Sequence, residues 1–285
     1  MKAYSNALTA KTTAKTEKIK NPTVSDHAGK KKSLGLSIIR GSLLPVILVI
    51  FWQLAAFSEM VSGTILPSPI QITAAFWELI VSGELFGNLS ISLYRALTGF
   101  LLGGSLGLLS GILAGLFRKF EETVDPSVQM LRTIPHLAIT PLFILWFGIG
   151  EESKVLLIAL GAFFPLYINT FTGIRGVDSK LFEVAKVLEF SKIKLVSKLI
   201  IPAALPSILL GLRLSIGVSW LGLVVAELMG SSEGVGYMIN DARQFSRTDV
   251  VIVGILIFAI VGKLSDSFVR FLEKKMLKWR DSYSG

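Results

Sequence analysis

Apolar residues in this chain fall into blocks set apart by charged stretches, and each block has about the 20 residues that an α-helix needs to cross a bilayer. Six blocks predict six membrane-spanning helices, over residues 41–57, 94–117, 128–147, 154–174, 207–229 and 250–272. After the first block, the run Leu66-Pro67-Ser68-Pro69 predicts extended backbone, because each proline disfavours helix in the residue before it. Residues 70–81 then read as an amphipathic helix outside the membrane. The charged stretch 178–202 is long, basic and patterned. Glu183, Lys186 and Glu189 make one polar stripe at a spacing of three, while Leu181, Val184, Ala185 and Leu188 leave the rest of a short helix apolar. Asp178 or Ser179 stands where a cap would begin it. A second short helix is expected from Ser191, with Ile193, Val196, Leu199 and Ile200 on one side, and is expected to stop at Pro202. So wide an apolar face must be buried against something. Physics alone leaves two readings of this hairpin: a docking element, or a fold back onto the bundle.

Composition sharpens the membrane reading. The 285 residues are 52% hydrophobic and only 17% charged, which is too apolar for an ordinary soluble domain. The chain has no cysteine, which excludes disulfides, zinc–thiolate sites and iron–sulfur clusters, and no metal site is expected. The net charge of +9 is explained by where the charges lie, without a nucleic-acid partner. Nine Lys and Arg precede the first block, two lie in 118–126, six in 175–202 and five in 270–285. The alternate segments hold only Arg243 and Arg247. This bias predicts that both termini are cytoplasmic, and an even number of spans agrees. The organisation that follows is a disordered basic tail over 1–33 able to touch membrane lipid, a first span and external loop over 34–88, a transmembrane core over 89–273, and a cytoplasmic tail over 274–285.

Several motifs invite a chemical reading. Gly99, Gly103, Gly107, Gly111 and Gly115 recur every four residues in the second block, a small-residue ridge that lets helix backbones approach closely. Within it, Gly103-Gly104-Ser105-Leu106-Gly107 matches G-x-S-x-G. That motif needs a strand-to-helix elbow, which a spanning helix does not supply, so an intramembrane serine protease is a remote alternative and no catalytic residue is expected. Arg132, Pro135, His136 and Pro141 mark the third block as kinked, and freed carbonyls at membrane depth are tolerated where protein or a water-filled cavity satisfies them. With Arg95, Ser219 and Glu227 these are the candidate pathway residues, since a charge within a span needs a reason. Glu227 either gates or pairs with a loop arginine such as Arg243. The chain lacks the phosphate-cradling G-x-x-x-x-G-K-[ST], so no nucleotide cofactor is expected in it. An ion-coupled carrier, the second alternative, would show its own midplane site among repeated broken helices, and no repeat is evident.

Residues 178–202 resemble the EAA loop of permease subunits of ATP-binding-cassette importers. Glu183, Ala185 and Pro202 match in register, Val184 replaces the second position, Leu199 and Ile201 stand in for the final Ile and Leu, and Glu189 stands where glycine is usual. The resemblance extends over roughly residues 66–275. Ser92-Leu93-Tyr94-Arg95, Ile134-Pro135, Trp146 to Gly150 and Gly234-Val235-Gly236-Tyr237 point to the nitrate, sulfonate and taurine branch, nearest to aliphatic sulfonate permeases. It implies an all-α, six-helix type I importer fold in a bacterial plasma membrane. It also implies a homodimer enclosing the pathway, ATPase subunits that bind ATP and Mg beneath it, and an external solute-binding protein. The docking loop would be carried by Glu183, Val184, Ala185, Lys186, Leu188, Glu189, Leu199, Ile201 and Pro202. The solute would be a small anion, a sulfonate or taurine, with nitrate, bicarbonate or a vitamin precursor as alternatives.

Overall fold

A computed structural model describes residues 34–58 and 62–279. The basic stretch 1–33, with its expected disordered tail, and residues 280–285 lie outside the described residues. The chain divides between Phe51 and Trp52 into two units. In the first, residues 34–51 form the larger part of helix α1 (Leu34–Phe57). The second holds the end of α1 and ten further α-helices: α2 (Pro69–Val81), α3 (Glu84–Leu116), α4 (Arg118–Leu131), α5 (His136–Phe147), α6 (Glu151–Arg175), α7 (Ser179–Val187), α8 (Lys192–Leu195), α9 (Ile201–Gly230), α10 (Val235–Gln244) and α11 (Thr248–Met276). Among the described residues there is no strand.

Among the described residues, four helical runs are long and apolar enough to cross a membrane: α3, α6, the run Lys192–Gly230 that contains α8 and α9, and α11. The bundle is built on α6, which packs against α3 on one side and α9 on the other. The glycines of α3 make the first contact close. A methyl group added at Gly103 would lie 1.8 Å from the Ala159 carbonyl oxygen, and one at Gly107 would lie 2.4 Å from that of Phe163. Gly99, Gly111 and Gly115 meet Ile158, Tyr167 with Thr170, and Ile174 in turn, so the two helices run parallel. Gly211 and Gly222 of α9 meet Asn169 and Ile158 in the reverse order, which makes α9 antiparallel to both.

Parallel α3 and α6 require the chain to return between them, and here the expected third span is corrected. Residues 128–147 are not one helix. α4 ends at Leu131 and α5 begins at His136, because Pro135 drives Ile134 out of helical geometry. Thr133 and Ile134 instead make tight turn bonds to the carbonyls of Met130 and Leu131, at 3.3 and 3.1 Å. With 12 residues, α5 is about 18 Å long, short of the roughly 30 Å hydrocarbon core. The return is therefore made by two short helices joined at a break. The stop expected at Pro202 is also corrected. Val196–Ile200 is a π-helical turn, in which the Ile201 N–H reaches back to the Val196 carbonyl. Pro202 follows directly, so the widened turn falls where a proline ring would otherwise crowd the carbonyl of the preceding turn, and the helical run continues through it.

α2 begins with Ser68 as its cap. Its hydroxyl accepts the Gln71 N–H at 3.3 Å and the Gln71 side chain accepts the Ser68 N–H at 2.8 Å, a reciprocal box. Ile72, Ala75 and Leu79 of α2 pack on Val235 and Met238 of α10 and Val253 and Ile257 of α11 in one core. α3 starts ten residues before the expected 94, so the expected division at 88/89 falls inside it.

Candidate functional site

The two ends of the α3–α6–α9 bundle differ in kind. At one end α3 carries Asn88, Ser92 and Arg95 at spacings of four and three, hence on one face. Arg95 is 1% exposed and Glu227, near the end of α9, is likewise 1% exposed. They pair through Arg95 Nη1 and Glu227 Oε1 at 2.8 Å. Arg95 Nη1 also donates to the Glu233 carbonyl at 2.7 Å, while Nε and Nη2 grip both oxygens of Glu151, the first residue of α6, at 2.6 Å each. Lys154 Nζ adds a bond to Glu151 at 3.1 Å. Glu227 accepts from the Ser92 hydroxyl at 2.8 Å and the Gly236 N–H at 2.8 Å. The Gly234 N–H donates to Asn88 at 2.8 Å and the Val235 N–H to Ser92 at 2.9 Å.

Buried Glu227 and half-exposed Glu151 balance the two buried bases Arg95 and Lys154, and each charge is hydrogen-bonded, the condition under which a buried ion cluster is tolerated. The Gly234-Val235-Gly236 segment is explained by this cluster. Gly234 has φ +110, and a Cβ there would lie 2.3 Å from Glu227 Oε1; one at Gly236 would lie 2.6 Å from Glu227 Cβ. Only glycine lets the backbone come down onto the ion pair. Of the sequence candidates, Arg95 and Glu227 are thus brought together. Arg243, the alternative partner for Glu227, donates instead to Asn240 at 2.8 Å. Glu151, Lys154, Glu233 and Asn88 were not singled out by sequence, although the polar face through Asn88, Ser92 and Arg95 on an apolar helix was a readable signal.

The remaining candidates lie elsewhere. Ser219 is buried and donates to the Ser215 carbonyl of its own helix at 2.8 Å, whereas the Ser215 hydroxyl crosses to the Ala162 carbonyl of α6. Arg132 and Pro135 are exposed at the α4–α5 break, Pro141 lies inside α5, and the His136 side chain is outside the described residues. Ser105 lies in unbroken helix, exposed, and donates to the Leu102 carbonyl at 3.1 Å. Among the described residues no cluster of side chains is arranged to hold a metal ion.

At the opposite end, α7 opens on Asp178, whose carboxylate accepts the Lys180 N–H at 2.9 Å. It closes with the Phe190 N–H on the Ala185 carbonyl at 3.0 Å and the Glu189 N–H on that of Lys186 at 3.1 Å. This is a Schellman closure, whose pivotal residue is usually a left-handed glycine. Glu189 takes that role with φ +50. The departure from glycine therefore keeps the bend and adds strain to it. Ser191 caps α8 through the Lys194 N–H. Ala185 is buried, but Val184, Val187, Leu188 and Ile193 are exposed at 54%, 82%, 57% and 83%. Glu183, Lys186 and Glu189 are exposed beside them, and Leu199, Ile201 and Pro202 are half-buried at the loop's root. Leu188, Phe190, Leu199 and Trp279 edge a shallow apolar groove behind the hairpin.

Residues 103–278 match the family described as the binding-protein-dependent transport system inner membrane component. A Bacillus subtilis protein named as an aliphatic sulfonates transport permease is 67% identical over 87% of this chain and 90% of its own length. An Escherichia coli protein of the same name is 50% identical over 84% and 91%. The nitrate import permease of a Synechocystis strain is 34% identical over 83% and 88%. Among solved structures, an amino acid ABC transporter crystallised with histidines aligns with a TM-score of 0.59 over 71% of this chain and 96% of that one, at 16% identity, a likeness of fold alone. The chain belongs to the inner-membrane components of binding-protein-dependent transport systems, and it is a multi-pass permease of an ABC importer.

Proposed function

We propose that this permease carries aliphatic sulfonates inward, as a pair of identical six-pass chains with cytoplasmic termini. An ATPase grips residues 178–202, ATP and Mg are held by that ATPase, and a solute-binding protein docks on the opposite side of the membrane. The observation that carries the coupling half of this reading is the hairpin itself. Val187 and Ile193 are more than four-fifths exposed on a strongly basic segment that the positive-inside bias assigns to the cytoplasm, and apolar surface of that kind marks an interaction site. Support for the solute comes from the two relatives named for sulfonates. The second copy has a candidate seam in Leu210, Leu214, Leu221 and Leu228, exposed along one face of α9. α1 and the α4–α5 pair supply the two further crossings needed beyond the four long helices.

The test is uptake into vesicles holding the permease and its ATPase, with the binding protein and labelled taurine or ethanesulfonate outside. Uptake that needs internal ATP and survives collapse of the membrane potential and proton gradient is expected. Uptake that dies with the gradients and ignores ATP would favour an ion-coupled carrier. Uptake of nitrate or bicarbonate in place of sulfonates would replace the solute and leave the coupling.

A further inference from the structure

Three charged groups at the buried end have unequal access to water. The Arg95 and Lys154 side chains are 2% and 7% exposed, yet the Glu151 side chain on which both converge is 51% exposed. Arg95 holds it by a two-pronged pair, Nε to Oε2 and Nη2 to Oε1. Lys154 Nζ adds a third donor to Oε1. Glu227, fully buried on the far side of Arg95, neutralises one of the two cations. The position of the Glu151 carboxylate is therefore a socket with one uncompensated positive charge, three converging N–H donors and an opening to solvent. Glu151 is also the first residue of α6, so the positive end of that helix adds to the field. A guanidinium fork with an ammonium beside it suits a singly charged group presenting two or more oxygens.

We infer that the Arg95–Lys154 socket is an exchangeable oxyanion site, in which the carboxylate of Glu151 holds the place of a solute's sulfonate. Glu151 reaches solvent by rotating its own side chain. Arg95 cannot follow, because Nη1 stays committed to Glu227 and the Glu233 carbonyl. The arriving anion restores neutrality, whereas a neutral isostere does not. The inference deepens the sulfonate reading and rests on it for the choice of ligand.

The probe is methanesulfonate, with dimethyl sulfone as its neutral isostere and sodium chloride at matched ionic strength, tested by thermal melting of the full-length permease in nanodiscs. Glu151→Ala is expected to melt below the parent. It should regain about 5 °C in methanesulfonate at about 100 times the dissociation constant, and nothing comparable in dimethyl sulfone or chloride. The parent, whose own carboxylate competes, should shift less. Adding Lys154→Met to Glu151→Ala should weaken the rescue. Should Glu151→Ala fail to accumulate, Glu151→Gln, which keeps the side chain's size and loses its charge, is read in the same way. Equal melting of the variant in methanesulfonate and chloride would overturn the inference and leave the trio a structural clamp. Because melting involves no import, a failed uptake assay with intact anion rescue would count against the transport reading and spare the site.

Discussion

The two ends of α6 solve opposite problems. At its first residue, charges that would be costly in a bilayer are gathered into a cluster, buried but for the half-exposed Glu151, with hydrogen bonds to three helices and a glycine loop. Beyond its last residue, apolar side chains that could have been sealed are left in the open on α7 and α8. Burying an ion pair gives little net stability, but losing one member is severe, so the first end has one tolerated arrangement. The second end has surface free energy to gain by meeting another surface. The same chain thus fixes its geometry with polar groups and offers its adaptable contact with apolar ones, the reverse of the usual arrangement in water.

Substitutions can break this contrast. Arg95→Leu should be the most damaging, since it strands Glu227 and Glu151, and a loss of about 3–5 kcal/mol is expected for a broken buried pair. The yield of monodisperse protein after size exclusion measures it, and Arg95→Met with Glu227→Gln should recover part of the loss. Gly103→Val should come next, because its side chain overlaps the Ala159 carbonyl. A cost of about 1–3 kcal/mol is expected for such overpacking, read as a lower melting temperature. At the open end, Glu183→Lys should leave melting within about 0.5 kcal/mol of the parent, yet reduce the ATPase recovered on co-purification. An unchanged ATPase yield would remove Glu183 from the contact. The smallest effect is expected of Glu189→Gly. Relief of a left-handed non-glycine residue is worth about 1–2 kcal/mol, offset by glycine's extra freedom when unfolded, so a slight rise in melting temperature should follow, and Glu189→Val should lower it.

Much of this was legible in the sequence because single residues force it. The Leu66-Pro67-Ser68-Pro69 run places the start of α2 within a residue, Asp178 and Ser191 fix the starts of α7 and α8, and the five glycines of α3 announce a close helix contact. What escaped was either long-range or a matter of local competition. No spacing links Arg95 to Glu151 and Glu227; only parallel α3 and α6 with antiparallel α9 bring them together. The break at 132–135 and the passage through Pro202 turn on the same chemistry with opposite outcomes. Pro135 acts on a residue that would otherwise sit inside a helix, whereas Pro202 arrives where a widened turn has already left room for it. Glu189 shows a third case, in which tertiary need for a bend overrides a residue's own preference.

The unbroken run from Lys192 to Gly230 is 39 residues long, which at 1.5 Å per residue is a rod of about 58 Å. Its first turn belongs to the greasy hairpin, and Glu227, three residues from its last, is bolted to Arg95. The exposed hairpin and the countercharge of Arg95 are thus the two ends of one helical run, with a π-turn and Pro206 lying between them.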